Sequence, residues 1–421
     1  MVMGVGHTDR MLDEAEVRKI FREGLEQLNP AGKRLLFIIP DGTRSAPMPL
    51  CFRAITDAVL GVAERVDLLV ALGTHLPMSE EALLAHLGIT AEERRGRYGA
   101  VGLYNHDWRG ELLTLGVLTE GDTRELSGGL LSLEVPVQVN ARITEYDHLI
   151  VVGPVFPHEV VGFSGGSKYF FPGISGQAVI DFTHWLGALM TSRAIIGRED
   201  TPVRAAIDKA VSYIQQPISC FSMVVHGRHD LAGLYFGDLY ASQRAAAELS
   251  AQVNIVWVDE PYDTVLSVMP TLYDDIWTGA KGMYKMEPVV ADGGTVIIYA
   301  PHIDEISYVH GKYLDEVGYH VRDYFLADWE RFKDYPWGVL AHATHVKGAG
   351  TYEDGVESPR IQVVLATGVP EERCRRVNLG YRDPASIRLE EWQGREAEGI
   401  LVVPRAGEML YRLKDEREAE S

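Results

Sequence analysis

The stretch from Pro154 to Trp185 holds the residues best able to do chemistry. It contains His158, the run Gly162-Phe163-Ser164-Gly165-Gly166-Ser167-Lys168, the pair Pro172-Gly173 and, further on, His184. Paired glycines let backbone amides approach an anion closely, and a helix start behind them adds a favourable dipole. A lysine within such a loop is either a phosphate partner or a nucleophilic amine. The spacing is not that of a Walker A loop, because Ser167 separates Gly166 from Lys168, and a Rossmann glycine fingerprint is absent. On composition alone, a solvated lysine on a flexible loop is an equal alternative.

Three histidines change what that loop can do. His75 and His158 each follow an apolar run, and His184 falls on the helix expected after the loop. Each alone reads more simply as a hydrogen-bonded packing residue. Together they offer imidazoles that titrate near neutrality, and two of them can remove and deliver a proton on opposite faces of one substrate. Imidazole also suits nickel. Arg44, in Asp41-Gly42-Thr43-Arg44, can grip a carboxylate bidentately or serve as a surface partner of Asp41. His342 and His345 are three apart, a ligand spacing on a helix, with nothing else completing a metal site. Hydrogen-bonded structural histidines are the plainer reading there, as for His106.

These side chains need a frame. Residues 35–39 form an apolar run ended by Pro40, a buried strand that delivers residues 41–44 into a loop, with a helix over 50–65 behind it. Residues 66–72 repeat the pattern and deliver Gly73-Thr74-His75, and 148–152 run into Gly153-Pro154. Later strands are expected over 264–268, 295–300, 361–366 and 400–404, with helix over 276–285 and over part of 314–333. Strands alternating with helices imply parallel sheets, with ligands gathered at their carboxyl ends. The expected fold is α/β, with two α/β domains, largely parallel sheets and an active-site cleft between them. Residues 1–260 would form the catalytic and cofactor-binding domain. Residues 261–421 would close the cleft, with a terminal segment able to pack back on the first domain. Residues 1–10 read as a short flexible lead.

Taken together and in order, these motifs resemble the lactate racemase family, the 2-hydroxyacid racemases and epimerases that depend on a nickel-pincer nucleotide. The resemblance rests on Asp41-Gly-Thr-Arg44, Gly73-Thr-His75, His158, Gly-Phe-Ser-Gly-Gly-Ser-Lys168 with Pro172-Gly173, and His184, with a weaker match at Lys281-Gly282. It implies a cofactor made from a pyridinium mononucleotide with two sulfur-containing arms, one joined covalently to Lys168. His184 would complete the nickel centre. One of His75 and His158 would take the substrate hydroxyl proton while a hydride passes to the cofactor, leaving a transient 2-keto acid. Hydride return to the opposite face inverts the centre, and the other histidine serves the other enantiomer. Arg44 would bind the substrate carboxylate and Lys281 would stabilise charge. Asp41 and Thr43 would order their loop or touch the cofactor, and Ser164, Gly165, Gly166 and Ser167 would position the nucleotide and its phosphate. The partners implied are a small 2-hydroxyacid and the separate enzymes that build the cofactor.

The chain also departs from the lactate enzymes. They carry Tyr-Gln just before the lysine matching Lys281, where this chain has Trp277-Thr278, and Leu76 replaces a commonly polar residue. A pocket lined by Trp277, Thr278, His342 and His345 points to a larger or differently substituted acid than lactate. An epimerase of a sugar acid, with Asp274, Asp275, His342 and His345 as hydroxyl partners, is the near alternative. A metal-dependent hydrolase built on His75, His158 and His184 is a second. A non-catalytic nucleotide-binding α/β protein is a third, and the presence of Lys168 with both acid/base histidines argues against it.

Composition sets the remaining bounds. The chain has 40 Lys and Arg against 60 Asp and Glu, a formal charge of -20. That balance argues against a nucleic-acid partner, which needs clustered cations. No run approaches the roughly 20 apolar residues of a membrane span. The cysteines at 51, 220 and 374 are too scattered for a disulfide framework or zinc site, and a cytoplasmic protein is expected.

Overall fold

The computed structural model describes residues 2–415. The chain forms two compact units. The first comprises Met1–Phe156, Phe163–Ile180 and Pro202–Val253; the second comprises Pro157–Gly162, Asp181–Thr201 and Asn254–Ser421. His158 and His184 thus group with the second unit, although both precede residue 260.

The first unit is built on a seven-stranded sheet. Its strand order is Met3–Gly6, Asp230–Gly237, Ile218–His226, His148–Pro154, Arg34–Ile39, Arg65–Val70 and Gly102–Asn105. The last five pair in parallel, and the first two add antiparallel strands at one edge. The apolar runs read from sequence are the central strands, and they are buried along nearly their whole length. That is the pattern of a parallel sheet covered on both faces. On one face Leu35, Phe37 and Ile39 pack with Phe52, Ile55 and Val59 of the helix Met48–Val59, and Phe21 stacks on Phe221 at 4.3 Å.

Residues 3–6 are not part of a flexible lead. They hydrogen-bond along Asp230–Gly237, with Met3 opposite Phe236 and Gly6 opposite Gly233. Glycine permits the close approach: a β-carbon at Gly4 would lie 2.2 Å from the Leu234 carbonyl oxygen. Ile218–His226 and Asp230–Gly237 were not anticipated, nor was the pair Leu112–Leu118 with Val135–Asn140.

The second unit carries a five-stranded, wholly parallel sheet in the order Gly380–Tyr381, Gln362–Thr367, Val290–Ala300, Tyr262–Val268 and Ile400–Pro404. Leu266, Ile297, Ala366 and Ile387 form one side of its core. The helix expected over 276–285 is two short helices, Ile276–Gly279 and Lys281–Tyr284, and the buried helix Trp337–Lys347 carries His342 and His345. Among the described residues, no helix is long and apolar enough to cross a membrane.

Several histidines are buried in this fabric. Burial holds His106, His148 and His345 down at about 4. Unfolding returns each ring to water, where it binds a proton near pH 6.5, so between about pH 6.5 and 4 the unfolded chain holds more protons than the folded one. Stability is therefore full above that window and is lost as the pH falls through it. Each ring's depression corresponds to about 3 kcal/mol. Urea midpoints should drop markedly from pH 7 to pH 5, and equal midpoints would contradict burial of neutral rings.

Candidate active site

In the first unit the strands fix the site by register. Ile39 pairs with Val70, so the two strands end level and their following loops run side by side. Asp41 and His75 meet there: His75 Nδ1 lies 2.6 Å from Asp41 Oδ2. The other carboxylate oxygen accepts from the Thr43 hydroxyl at 2.7 Å and from its backbone amide at 3.2 Å. Asp41 is only 5% exposed. Burial would raise its carboxyl, but the neighbouring His75 ring, the Arg44 charge and the Thr43 hydroxyl together hold it well below the usual carboxylate range. An ionised Asp41 needs a hydrogen on His75 Nδ1, which leaves Nε2 as the proton-accepting nitrogen. Asp41 thus does more than order its loop; it sets the tautomer of the neutral His75 ring, as a carboxylate does for histidine in hydrolase triads.

The lysine turn is joined to that loop. The Gly73 amide donates to the Gly173 carbonyl at 2.9 Å, and the Gly173 amide donates to the Lys168 carbonyl at 3.0 Å. Gly165 and Gly166 adopt φ of +83° and +56°, the left-handed region that glycine alone enters cheaply. A β-carbon at Gly173 would sit 2.3 Å from the Tyr169 carbonyl oxygen. Ser164 locks the turn from within, its hydroxyl donating to the Pro154 carbonyl and accepting from the Phe156 amide.

Beneath the turn lies a polar floor that the sequence did not disclose. Arg204, buried on the helix Pro202–Val211, donates to the carbonyls of Phe163 and Gly165. Ser167 and Asp208 are buried beside each other, and Gln243 Nε2 is buried without a hydrogen-bond partner. A β-carbon at Gly166 would lie 2.8 Å from Gln243 Cγ. Burial raises the Asp208 carboxyl, although the Ser167 hydroxyl and the Arg204 charge beside it pull the other way. An unmet buried donor carries a cost that a polar ligand relieves. The mixture of polar groups at this turn fits the hydroxyls of a ribose, and an amine on a turn above them fits covalent attachment. The residues present therefore suit a nucleotide tethered at Lys168.

The remaining expected site residues group in the second unit. His158 is nearly buried; its Nδ1 accepts from the Val160 amide at 3.1 Å and lies 3.3 Å from Glu159 Oε2. His184 rides on the helix Gln177–Met190, beside Trp185, which stacks on Trp329 at 5.1 Å. One turn before His184, Asp181 accepts from the Gly338 amide at 3.0 Å, which ties this helix to the start of Trp337–Lys347. Trp277 packs against two imidazoles, with ring centres 4.1 Å from His342 and 4.4 Å from His310. His342 is also 3.4 Å from the Tyr319 hydroxyl. Burial drives His342 well below the usual imidazole range, and His345, His310, His184 and Lys281 push it the same way. Lys281 lies 4.6 Å from the centre of the Tyr273 ring. Thr278 commits its hydroxyl and amide to Asp275, both at 2.9 Å, as the first turn of a capped helix. His310 and Glu159 were not singled out from sequence, and no spacing signal marked either.

The plainer reading of His106 is correct. Its Nε2 meets the Ser175 carbonyl at 3.0 Å and its Nδ1 meets the Asn140 amide at 3.1 Å. Among the described residues, no group of three or more His, Cys, Asp or Glu is arranged to hold a metal ion.

Comparison with known proteins bears on the fold and its relatives. Residues 7–197 match the family model described as the lactate racemase N-terminal domain, a span that includes Asp41, His75, His158, Lys168 and His184. The lactate racemase of Thermoanaerobacterium thermosaccharolyticum is 24% identical over 290 residues, and that of Lactiplantibacillus plantarum is 24% identical over 285. Both alignments take in 66% of this chain and 62% of the relative. A Thermotoga maritima protein of known crystal structure is 32% identical and superposes with a TM-score of 0.89, covering 97% of this chain and 100% of its own. The lactate racemase apoprotein of Thermoanaerobacterium thermosaccharolyticum shares the fold, with a TM-score of 0.71 at 19% identity over 98% of this chain and 100% of that one. Residues 7–197 thus form a lactate racemase N-terminal domain, and the chain shares the fold of the lactate racemase apoprotein.

Proposed function

We propose that this protein is a racemase or epimerase that inverts the C2 centre of a 2-hydroxyacid larger than lactate. The observation that carries the reading is the Asp41–His75 pair, held on a loop hydrogen-bonded to the turn of Lys168. It supports a base of fixed tautomer on a loop bonded to the turn of the lysine that, in lactate racemases, bears the cofactor.

Lys168 and His184 would hold the nickel-pincer nucleotide, which when bound would supply a reversible acceptor for the C2 hydrogen. The chain's own side chains do the rest. His75 takes the hydroxyl proton at Nε2, because its other nitrogen is occupied by Asp41. Arg44 holds the substrate carboxylate, for which a guanidinium offers two parallel donors. His158 handles the proton on the opposite face, and Lys281 stabilises charge developing on the substrate oxygen. Inversion needs a planar 2-keto stage, since a carbon-bound hydrogen beside a hydroxyl is scarcely acidic.

The substrate reading rests on Trp277. Packed against two imidazoles, the indole offers a broad wall, and the neighbouring Thr278 hydroxyl is used internally by Asp275. Such a wall suits an apolar or extended side chain at C3 better than a methyl group. Cofactor-loaded protein assayed with each enantiomer of lactate, malate, phenyllactate and the aldonates should invert a larger acid fastest. Activity confined to lactate would refute the substrate class and leave the reaction type standing.

A further inference from the structure

We infer that His75 and His158 rest in opposite tautomers, and that Glu159 is the positioning residue through which His158 gains proton-transfer competence. The inference rests on the proposed function for what the two rings do to a substrate; the tautomers themselves follow from hydrogen bonds alone.

An amide N–H can only donate. The Val160 amide donates to His158 Nδ1, so the neutral ring carries its hydrogen on Nε2. The ionised carboxylate of Asp41 can only accept, so the neutral His75 ring carries its hydrogen on Nδ1. Facing a substrate oxygen through Nε2, His75 at rest is an acceptor and His158 at rest is a donor.

Donating a hydrogen bond is not transferring a proton. Neutral His158 with its hydrogen on Nε2 can take no proton there, and losing that hydrogen would leave an imidazolate. Both productive states of the ring, the imidazolium and the Nδ1-protonated neutral form, require a hydrogen on Nδ1. The Val160 amide cannot accept that hydrogen. Glu159 Oε2, 3.3 Å from the same nitrogen, can. Nδ1 of His158 thus sits between a donor that stabilises the resting form and an acceptor that stabilises the working forms. Passing from rest to the neutral working form moves one proton from Nε2 to Nδ1 by way of water. It breaks the Val160 hydrogen bond, forms one to Glu159 and leaves the net charge unchanged. Glu159 also lies close enough to His345 for its charge to raise that ring, so the carboxylate serves the part of the second unit where the other site residues gather.

The test begins with full-length chain labelled with 15N-histidine. Multiple-bond 15N–1H correlation distinguishes the two tautomers, and His75→Gln and His158→Gln assign the signals. The expected spectrum shows His75 protonated at Nδ1 and His158 at Nε2. The same tautomer for both rings would overturn the inference. On cofactor-loaded enzyme, Glu159→Gln should lower kcat by about 100-fold, the scale of a lost acid/base contribution. The fall must be shared by both enantiomers, because a racemase has an equilibrium constant of one. KM, the lysine adduct and the resting tautomer of His158 should all persist, and Glu159→Asp should restore part of the rate. Wild-type turnover in Glu159→Gln, or a changed resting tautomer, would remove Glu159 from this role. Should Glu159→Gln fail to fold, Glu159→Asp decides: a resting spectrum like wild type with reduced kcat supports the role, and unchanged kcat overturns it. Opposite tautomers in a protein that inverts no hydroxyacid would instead sink the proposed function and leave the tautomers intact.

Discussion

Lys168→Ala should abolish turnover and return the protein to the mass of its bare sequence. Wild-type protein made alongside the cofactor-building enzymes should be heavier by one tethered nucleotide, mapping to Lys168. The expected loss is the largest available, about 10^6-fold or more, because without the tether nothing in the site accepts the C2 hydrogen and only the uncatalysed rate remains. The change should not disturb the turn. The turn is held by backbone bonds at this position: the Lys168 amide donates to the Gly165 carbonyl and its carbonyl accepts from Gly173. Glycines at 165 and 166 supply the left-handed angles irrespective of the neighbouring side chain. Unfolding midpoints of cofactor-free wild type and Lys168→Ala, measured alongside, separate a chemical loss from a structural one. Intact-mass spectrometry and a racemisation assay on the same samples make the comparison. Wild-type protein that carries no adduct and yet inverts its substrate fully would end the assignment.

Much of this was legible in the chain. The runs at 35–39, 66–72 and 148–152 are apolar enough to be buried strands, and each stops just before candidate site residues. The glycine turn and its lysine are a local feature, so their spacing survives into the structure intact. What could not be read is what depends on register. Nothing in the sequence states that Ile39 lies opposite Val70, and without that pairing Asp41 has no reason to meet a histidine 34 residues away. The same holds for the polar floor under Lys168, where Arg204, Asp208 and Gln243 come from two later helices with ordinary amphipathic patterns. The strand at Met3–Gly6 was invisible for a related reason. Four residues with two glycines carry little strand propensity, and only the edge of Asp230–Gly237 gives them a partner. The backbone amide that fixes His158 is silent in sequence as well, because any residue but proline at position 160 would supply it.

Asp41→Asn should cost about 10^3- to 10^4-fold in kcat, the scale seen when a carboxylate that sets a catalytic imidazole is made an amide. The structural change is slight. Asparagine keeps an oxygen for Thr43, so the loop has its hydrogen bonds, and one atom at the far end of the side chain changes character. That atom decides the chemistry. An amide nitrogen directed at His75 Nδ1 donates where the carboxylate accepted, which drives the ring hydrogen to Nε2 and removes the lone pair that takes the substrate proton. Binding should be spared if, as proposed, Arg44 rather than His75 holds the carboxylate; KM should change little while kcat falls. Arg44→Ala should do the reverse, weakening binding of the acid more than it slows a bound molecule. Combining Asp41→Asn with His75→Ala should cost scarcely more than His75→Ala alone, because the carboxylate acts only through the ring. Losses that simply multiply would show that Asp41 has an independent role, for instance with the cofactor. Histidine 15N shifts supply the direct check: His75 should change tautomer in Asp41→Asn while His158 keeps its own. A variant that loses activity with His75 still protonated at Nδ1 would separate the rate from the tautomer, and the account of His75 as a base fixed by Asp41 would fall.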